Sequence, residues 1–400
     1  MLSQVQTATD RTDAGPPPVP FFSQARTFDA LWPVLERRLS DVVSHGKYSH
    51  GRTVAELEAA LAAWTGAARV VGVNSGTDAL VLLLRACGLE PGDEVLVPAF
   101  TFVASASAVT LARGRPVFTD IDPVTYGMDV DSAAAAVTDR TRIVQPVHLF
   151  CQLADMAGVR ALAARHRLTV LEDSAEAVGM RWDGVHAGLL GAGGVLSFFP
   201  TKTLGAIGDA GAVLTNDERI ADTVAALRHH GRAGRTIDNF PGISNATVLA
   251  GVNSKMDDIQ AAVLLAKLAG LDAQIARRAE LAARYTELLR PCSGVRRLPT
   301  VVDRGVPTRA VFYVYLIEVD RRDELAEHLA AQGIGTETYY PVPLHLQPSF
   351  AHLGYREGQF PNAEAACRRT LALPLYPDLA DAAVDTVCAA IRTFYDGRSA

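Results

Sequence analysis

Cysteine is scarce in this chain: five residues in 400, namely Cys87, Cys151, Cys292, Cys367 and Cys388, scattered and with no C-x-x-C pair. That argues against a disulfide framework or a zinc site and fits a reducing compartment. A surplus of basic charge is also lacking. The formal net charge is −6, so the chain has no electrostatic footprint for nucleic acid or an anionic membrane, and neither is expected as a partner. No apolar run approaches the ~20 residues that span a bilayer. The first residues lack the charged, then apolar, then small-residue order of a secretory signal. The expected location is therefore the cytoplasm. Internal repeats, blocks of like charge and long linkers are missing as well.

What is present is an ordinary globular balance, 49% hydrophobic and 20% charged over a length that suggests two or three domains. Residues 1–20 are polar, end in Ala14-Gly15-Pro16-Pro17-Pro18 and read as a flexible tail. Helical spacing from Thr27 to Val43 predicts a lead-in helix, and a second helix runs through Leu57, Leu61 and Trp64. Short apolar runs then follow at Arg69–Val73, Glu94–Val97, Pro116–Thr119, Ile143–His148, Leu168–Glu172, Val195–Phe199 and Ala212–Leu214. Amphipathic segments such as Met156–His166 separate most of them, which implies an α/β fold with a largely parallel sheet covered on both faces. In such sheets ligands gather beyond the carboxyl ends of the strands. A long helical stretch, Lys255 to about Leu289, leads into a smaller α+β region. That region reads as a strand (Val311–Val319), a helix (Arg322–Gln332), a short strand (Gly335–Tyr339) and closing helices. The expected organisation is a tail over 1–20, a large domain over 21–270 and a small domain over 271–400.

Three segments carry chemistry. In Ser197-Phe198-Phe199-Pro200-Thr201-Lys202-Thr203-Leu204-Gly205 a lysine follows a buried-looking strand and precedes a small-residue loop. An apolar or cation-rich setting would lower its pKa enough for an imine-forming amine; a lysine that merely starts a surface turn reads the same way. In Val170-Leu171-Glu172-Asp173-Ser174-Ala175-Glu176 a strand ends on an acidic pair, placing Asp173 at the sheet edge. A carboxylate there suits the ring nitrogen of pyridoxal phosphate, which it keeps protonated; a solvated strand end is the blander alternative. In Val73-Asn74-Ser75-Gly76-Thr77-Asp78-Ala79-Leu80 a strand runs through Ser75, Gly76 and Thr77 into an amphipathic helix. Its first N–H groups would cradle a phosphate, or the serine is simply a helix cap. Phosphate anchor, carboxylate and amine in one α/β unit have few competing explanations as a set.

These segments, with several longer motifs, resemble the DegT/DnrJ/StrS family of sugar aminotransferases over nearly the whole chain from about Phe21. The motifs include Glu90-Pro91-Gly92-Asp93-Glu94-Val95, Pro98-Ala99-Phe100-Thr101-Phe102-Val103-Ala104, Gly251-Val252-Asn253-Ser254-Lys255-Met256-Asp257 and Tyr340-Pro341-Val342-Pro343-Leu344-His345-Leu346-Gln347. The resemblance implies the fold-type-I aminotransferase architecture, with a mixed, mostly parallel seven-stranded sheet and a small C-terminal domain. It implies pyridoxal 5'-phosphate as cofactor, Lys202 as the Schiff-base lysine and proton shuttle, and Asp173 against the pyridinium. Ser75, Gly76, Thr77 and Ser197 would bind the phosphate, and Phe102 would stack on the ring. Asn253 would reach the phosphate of a neighbouring subunit, making a homodimer with shared active sites. Tyr315, Tyr340 and His345 would lie near the sugar, and Arg232 would meet its diphosphate.

The chain departs from the pattern at Thr201-Lys202-Thr203, where many members read Gly-Lys-Asn, and at Gly208-Asp209-Ala210-Gly211, where many have Gly-Asp-Gly-Gly. Glu176 stands beside the cofactor where members often have Gln or His, and it points to amination at C4 of a 4-keto-6-deoxy sugar. The implied reaction moves an amino group from L-glutamate or glutamine to a keto nucleotide sugar, thymidine-linked by expectation. A 3-keto sugar or a cyclitol ketone is the alternative. A sugar dehydratase is disfavoured because such members replace the lysine by His, and a non-catalytic regulator because it needs no proton shuttle. No metal is expected. His229-His230 suits a helix C-terminus as a cation, His148 reads equally as a core or a cofactor residue, and Trp64 reads as core.

Overall fold

The computed structural model describes residues 17–232 and 247–397. Two helices lead in, α1 (Ala25–His45) and α2 (Arg52–Thr65), each ended by a glycine in the left-handed conformation. Seven strands then form one sheet: β1 (Arg69–Val73), β2 (Glu94–Pro98), β3 (Arg115–Thr119), β4 (Thr141–Val144) and β5 (Thr169–Asp173), followed, beyond a two-strand hairpin β6 (Arg181–Trp182) and β7 (Val185–His186), by β8 (Gly193–Ser197) and β9 (Gly211–Thr215). These are the seven apolar runs of the sequence. Their order is β1-β9-β8-β5-β4-β2-β3. Every pair from β8 to β3 is parallel, and β9 runs antiparallel to both β8 and β1. Helices α3 (Gly76–Ala86), α4 (Ala104–Leu111), α5 (Val130–Ala135), α6 (Met156–His166) and α7 (Glu218–Leu227) occupy the connections. All five residues of β2 and of β9 are buried, which is why those strands read as continuous apolar runs with no alternation.

The C-terminal part differs from the sequence expectation in four places. The helical stretch from Lys255 is two helices, α8 (Asp258–Leu268) and α9 (Leu271–Leu289), bent by 64°. Gly270 lies at the bend, and glycine weakens a helix interior by roughly 1 kcal/mol relative to alanine. Among the described residues no single helix is long and apolar enough to cross a membrane. Strands β10 (Val295–Arg297) and β12 (Tyr315–Val319) build a small sheet, and β11 (Thr308–Arg309) joins the β6–β7 hairpin. The expected strand at Gly335–Tyr339 is reduced to single bridges, Val19 with Ile334 and Glu337 with Ala372. The third strand of the small sheet lies between α11 (Pro361–Arg369) and α12 (Asp381–Asp396), following α10 (Arg322–Ala331), as β13 (Thr370–Leu373), where only helix was expected.

Residues 17–20 do not continue the expected tail. Val19 is buried, donates to the Gly333 carbonyl at 2.9 Å and accepts from the Gly335 N–H at 2.8 Å. The chain entry is thus pinned to the C-terminal part.

Candidate active site

Four neighbouring strands bring their ends to one edge of the large sheet. Val73 ends β1, Ser197 ends β8 and Asp173 ends β5, whereas β9 runs the other way and begins there at Gly211. Three strand spacings of about 4.8 Å separate β1 from β5, roughly 14 Å in all. At the β1 end, Ser75 is extended and its Oγ accepts from the Asp78 N–H at 3.1 Å, capping α3. A helix offers no acceptor of its own to its first N–H groups, so the start of α3 at Gly76 and Thr77 suits an anion. Small residues keep the space open. A Cβ on Gly76 would come within 2.8 Å of the Ser197 Cβ, and one on Gly211 within 2.5 Å of the Ser75 carbonyl. Gly211 is therefore the glycine that this packing requires in the Gly208–Gly211 run. Asp78 turns its carboxylate to the Ser254 hydroxyl at 2.7 Å.

At the β5 end, Asp173 is 4% exposed and held on both oxygens. The Ser105 hydroxyl of α4 donates to Oδ2 at 2.7 Å, and the Ala175 N–H to Oδ1 at 3.2 Å. Thr101 contacts the same serine at 3.0 Å. Alternation along the strand turns Glu172 to the opposite face. There it accepts from the N–H groups of Gly188, Leu190 and Gly191 and lies 2.9 Å from His148 Nε2. Because the Ala154 N–H donates to His148 Nδ1, the ring proton sits on Nε2 and points at Glu172. His148 is thus a satisfied core histidine.

Lys202 sits in the loop after β8, its own N–H bound to the Phe199 carbonyl at 2.8 Å. Its Nζ lies 3.4 Å from Glu176 Oε1 and 4.4 Å from the centre of the Tyr313 ring, with the side chain 15% exposed. Glu176 is oriented by the Tyr340 hydroxyl and the Phe150 N–H, each at 3.2 Å. Burial pulls the lysine pKa down, but Tyr313, Glu176 and Asp173 together outweigh it and hold the amine above its ordinary value. That reverses the sign expected from the sequence, where anions brought from other strands are invisible.

Other expected residues divide. Phe102, 57% exposed, has its ring 6.3 Å from that of Tyr340, on the same side as Glu176. Asn253 lies on a segment bridged to the end of β1 and accepts from Lys255. Arg232 is not among the Lys202 contacts. It lines a groove of about 820 Å³ over the edge strand β1, with Glu58 and Arg228. His229 is no helix-end cation, since burial and then the charges of Lys255 and Arg232 push its pKa down to about 4. His345 is 1% exposed, pairs with Glu364 at 3.1 Å and packs on Phe360; it is turned into its own part of the fold. Tyr315 is fully buried, stacked on Tyr285 at 4.8 Å and bonded to Thr286 at 2.8 Å. The tyrosine at the site is Tyr313. It precedes the first residue of β12, and its hydroxyl lies 3.2 Å from that of Thr201. Tyr313→Phe is expected to lower kcat by about fivefold, the equivalent of one hydrogen bond of about 1 kcal/mol. Tyr315→Phe should instead lower the melting temperature and leave kcat unchanged. Steady-state kinetics beside thermal denaturation separate the two.

The opening of α3 at the β1 end, the Lys202 amine beyond β8 and the Asp173 carboxylate at the β5 end suit, in order and in donor type, a phosphorylated pyridine aldehyde along the strand ends. The fold and the site together define a pyridoxal 5'-phosphate-dependent aminotransferase. The chain belongs to the DegT/DnrJ/EryC1/StrS aminotransferase family, whose model matches residues 34–392. It is 41% identical over 378 residues, 94% of this chain and 98% of the relative, to a Geobacillus stearothermophilus protein named pleiotropic regulatory protein. It is 39% identical over 368 residues (91% and 92%) to the dTDP-3-amino-3,4,6-trideoxy-alpha-D-glucose transaminase of Streptomyces venezuelae. The crystal structure of S. venezuelae DesV in complex with a ketimine intermediate superposes with a TM-score of 0.89 at 38% identity, covering 95% of this chain and 99% of that one.

Proposed function

We propose that this enzyme transfers an amino group from L-glutamate or glutamine to a keto carbon of a nucleotide-linked sugar, as a homodimer with shared active sites. The observation that carries the reading is the Lys202 amine 3.4 Å from Glu176, on the same sheet edge as Asp173 and the opening of α3. When bound, pyridoxal 5'-phosphate would supply an electron sink that weakens the C–H bond on the substrate carbon bearing nitrogen. Gly76, Thr77 and Ser197 would hold its phosphate, and Asp173, braced by Ser105, its ring nitrogen. Lys202 would remove a proton from the donor's α-carbon and return one to the acceptor's former keto carbon. Glu176 keeps that amine in place between the two half-reactions, since it is itself fixed by Tyr340 and Phe150. Phe199 and Ile207, 50% and 49% exposed, flank the Lys202 loop. Exposed apolar side chains there suit coverage by a second copy of the chain.

For the ring position we propose C3. The C4 expectation rested on Glu176, yet both its oxygens are engaged by Lys202, Tyr340 and the Phe150 N–H. The S. venezuelae relative is named for a 3-amino sugar. Thymidine-linked 3-keto and 4-keto hexoses incubated with glutamate should yield the C3 amine, read by NMR of the product. A C4 amine would overturn the position, and no amine from either sugar would overturn the substrate class.

A further inference from the structure

The loop that carries Lys202 is closed at its mouth by side chains from outside the site. Residues 200–205 double back so tightly that a Cβ on Gly205 would meet the Pro200 carbonyl oxygen at 2.3 Å. The Pro200 and Gly205 carbonyls at the two ends of this loop each need a donor. Gln24, just ahead of α1, donates its Nε2 to the Pro200 carbonyl at 3.4 Å. Lys267 of α8 donates its Nζ to the Gly205 carbonyl at 2.5 Å and to Gln24 Oε1 at 2.8 Å. The four groups form a ring that ties both ends of the loop to two helices. Lys267 is only 1% exposed, a costly place for an amine unless its bonds repay the burial. Burial, with Arg278 adding to it and Asp378 opposing, brings its pKa down to about 7, and the Phe28 ring lies 5.5 Å away.

We propose that Lys267 is a positioning residue for Lys202: with Gln24 it clamps the 200–205 loop and fixes where the reacting amine sits. The inference rests on the reading of Lys202 above. A proton shuttle is sensitive to distance, and a 1 Å displacement can cost about 10²-fold. Lys267→Met keeps the length and fills the space without a donor.

In the full-length holoenzyme, Lys267→Met is expected to lower kcat about 10- to 100-fold with KM for the keto sugar within about threefold. Hydrogen exchange of a peptide covering 198–210 should accelerate, while a β12–β13 peptide stays as in the parent. Gln24→Leu, which removes the bond to Pro200 and the link to Lys267 but leaves the Gly205 bond, should show the same pattern more weakly, and it decides the matter if Lys267→Met does not fold. Unchanged exchange at 198–210 in the variant that folds, or a lower melting temperature with unchanged kcat, would overturn the proposal. Exchange reports the clamp whether or not Lys202 reacts, and Lys202→Ala assayed alongside reports the reaction, so the two ideas fail separately.

Discussion

Lys202→Ala is expected to reduce turnover by about 10⁴-fold, at the upper end of what a positioned acid–base group contributes, because the same amine is also the nucleophile. The fold should survive. The backbone bond from Lys202 to Phe199 does not need the side chain, and Glu176 keeps the Tyr340 hydroxyl and the Phe150 N–H. Lys202→Arg separates charge from chemistry: it restores a cation beside Glu176 but cannot give up a proton near neutral pH. Both variants should lose turnover and the borohydride-sensitive visible band, with circular dichroism unchanged. Activity within tenfold of the parent in either would remove Lys202 from its role. A relative named as a regulatory protein makes the contrast useful, since a regulator would function without the amine. The amine is held above its ordinary pKa and attacks an aldehyde only when neutral. Capture of added pyridoxal phosphate by the apoenzyme should therefore quicken about tenfold per pH unit from 7 to 9, read by stopped-flow absorbance.

Much of this was legible in the chain because the relevant signals are local. A strand buried on both faces is written as an apolar run, so the large sheet stands out. Lys202, Asp173 and Gly76 each lie just past the end of such a run or at its last residue. Where the signal depends on distant partners it fails. Ser105, itself held by Thr101, braces Asp173 across a separation of 68 residues. Tyr313 and Tyr315 look alike in sequence, and only the start of β12 decides which faces the site and which the core formed with α9. His345 sits in a motif near proline residues, yet Glu364 from α11 draws it inward. β13 is four residues between a helix and a proline, too short for a period of two to be told from helix. The direction of the Lys202 pKa shift depends on Tyr313 and Glu176, which no window around residue 202 contains.

Asp173→Asn tests the other end of the site. The amide is nearly isosteric and can keep the bonds to Ser105 and the Ala175 N–H that fix the carboxylate, so the melting temperature should fall by no more than a few degrees. What disappears is the charge. A buried ion pair that loses one partner costs about 3–5 kcal/mol, which at 1.36 kcal/mol per decade is about 10²- to 10⁴-fold in rate. With a neutral amide at 173, nothing at that end of the strands favours a proton on the cofactor's ring nitrogen, and both half-reactions depend on it equally. The expected result is a loss of that size in the glutamate half-reaction and in the keto-sugar half-reaction alike, each followed by single-turnover absorbance. Ser105→Ala, which leaves the charge and removes one brace, should fall between the parent and Asp173→Asn, by about fivefold for one hydrogen bond of about 1 kcal/mol. A larger loss from Ser105 than from Asp173, or an Asn variant within threefold of the parent, would mean that position 173 supports the strand end and not the cofactor.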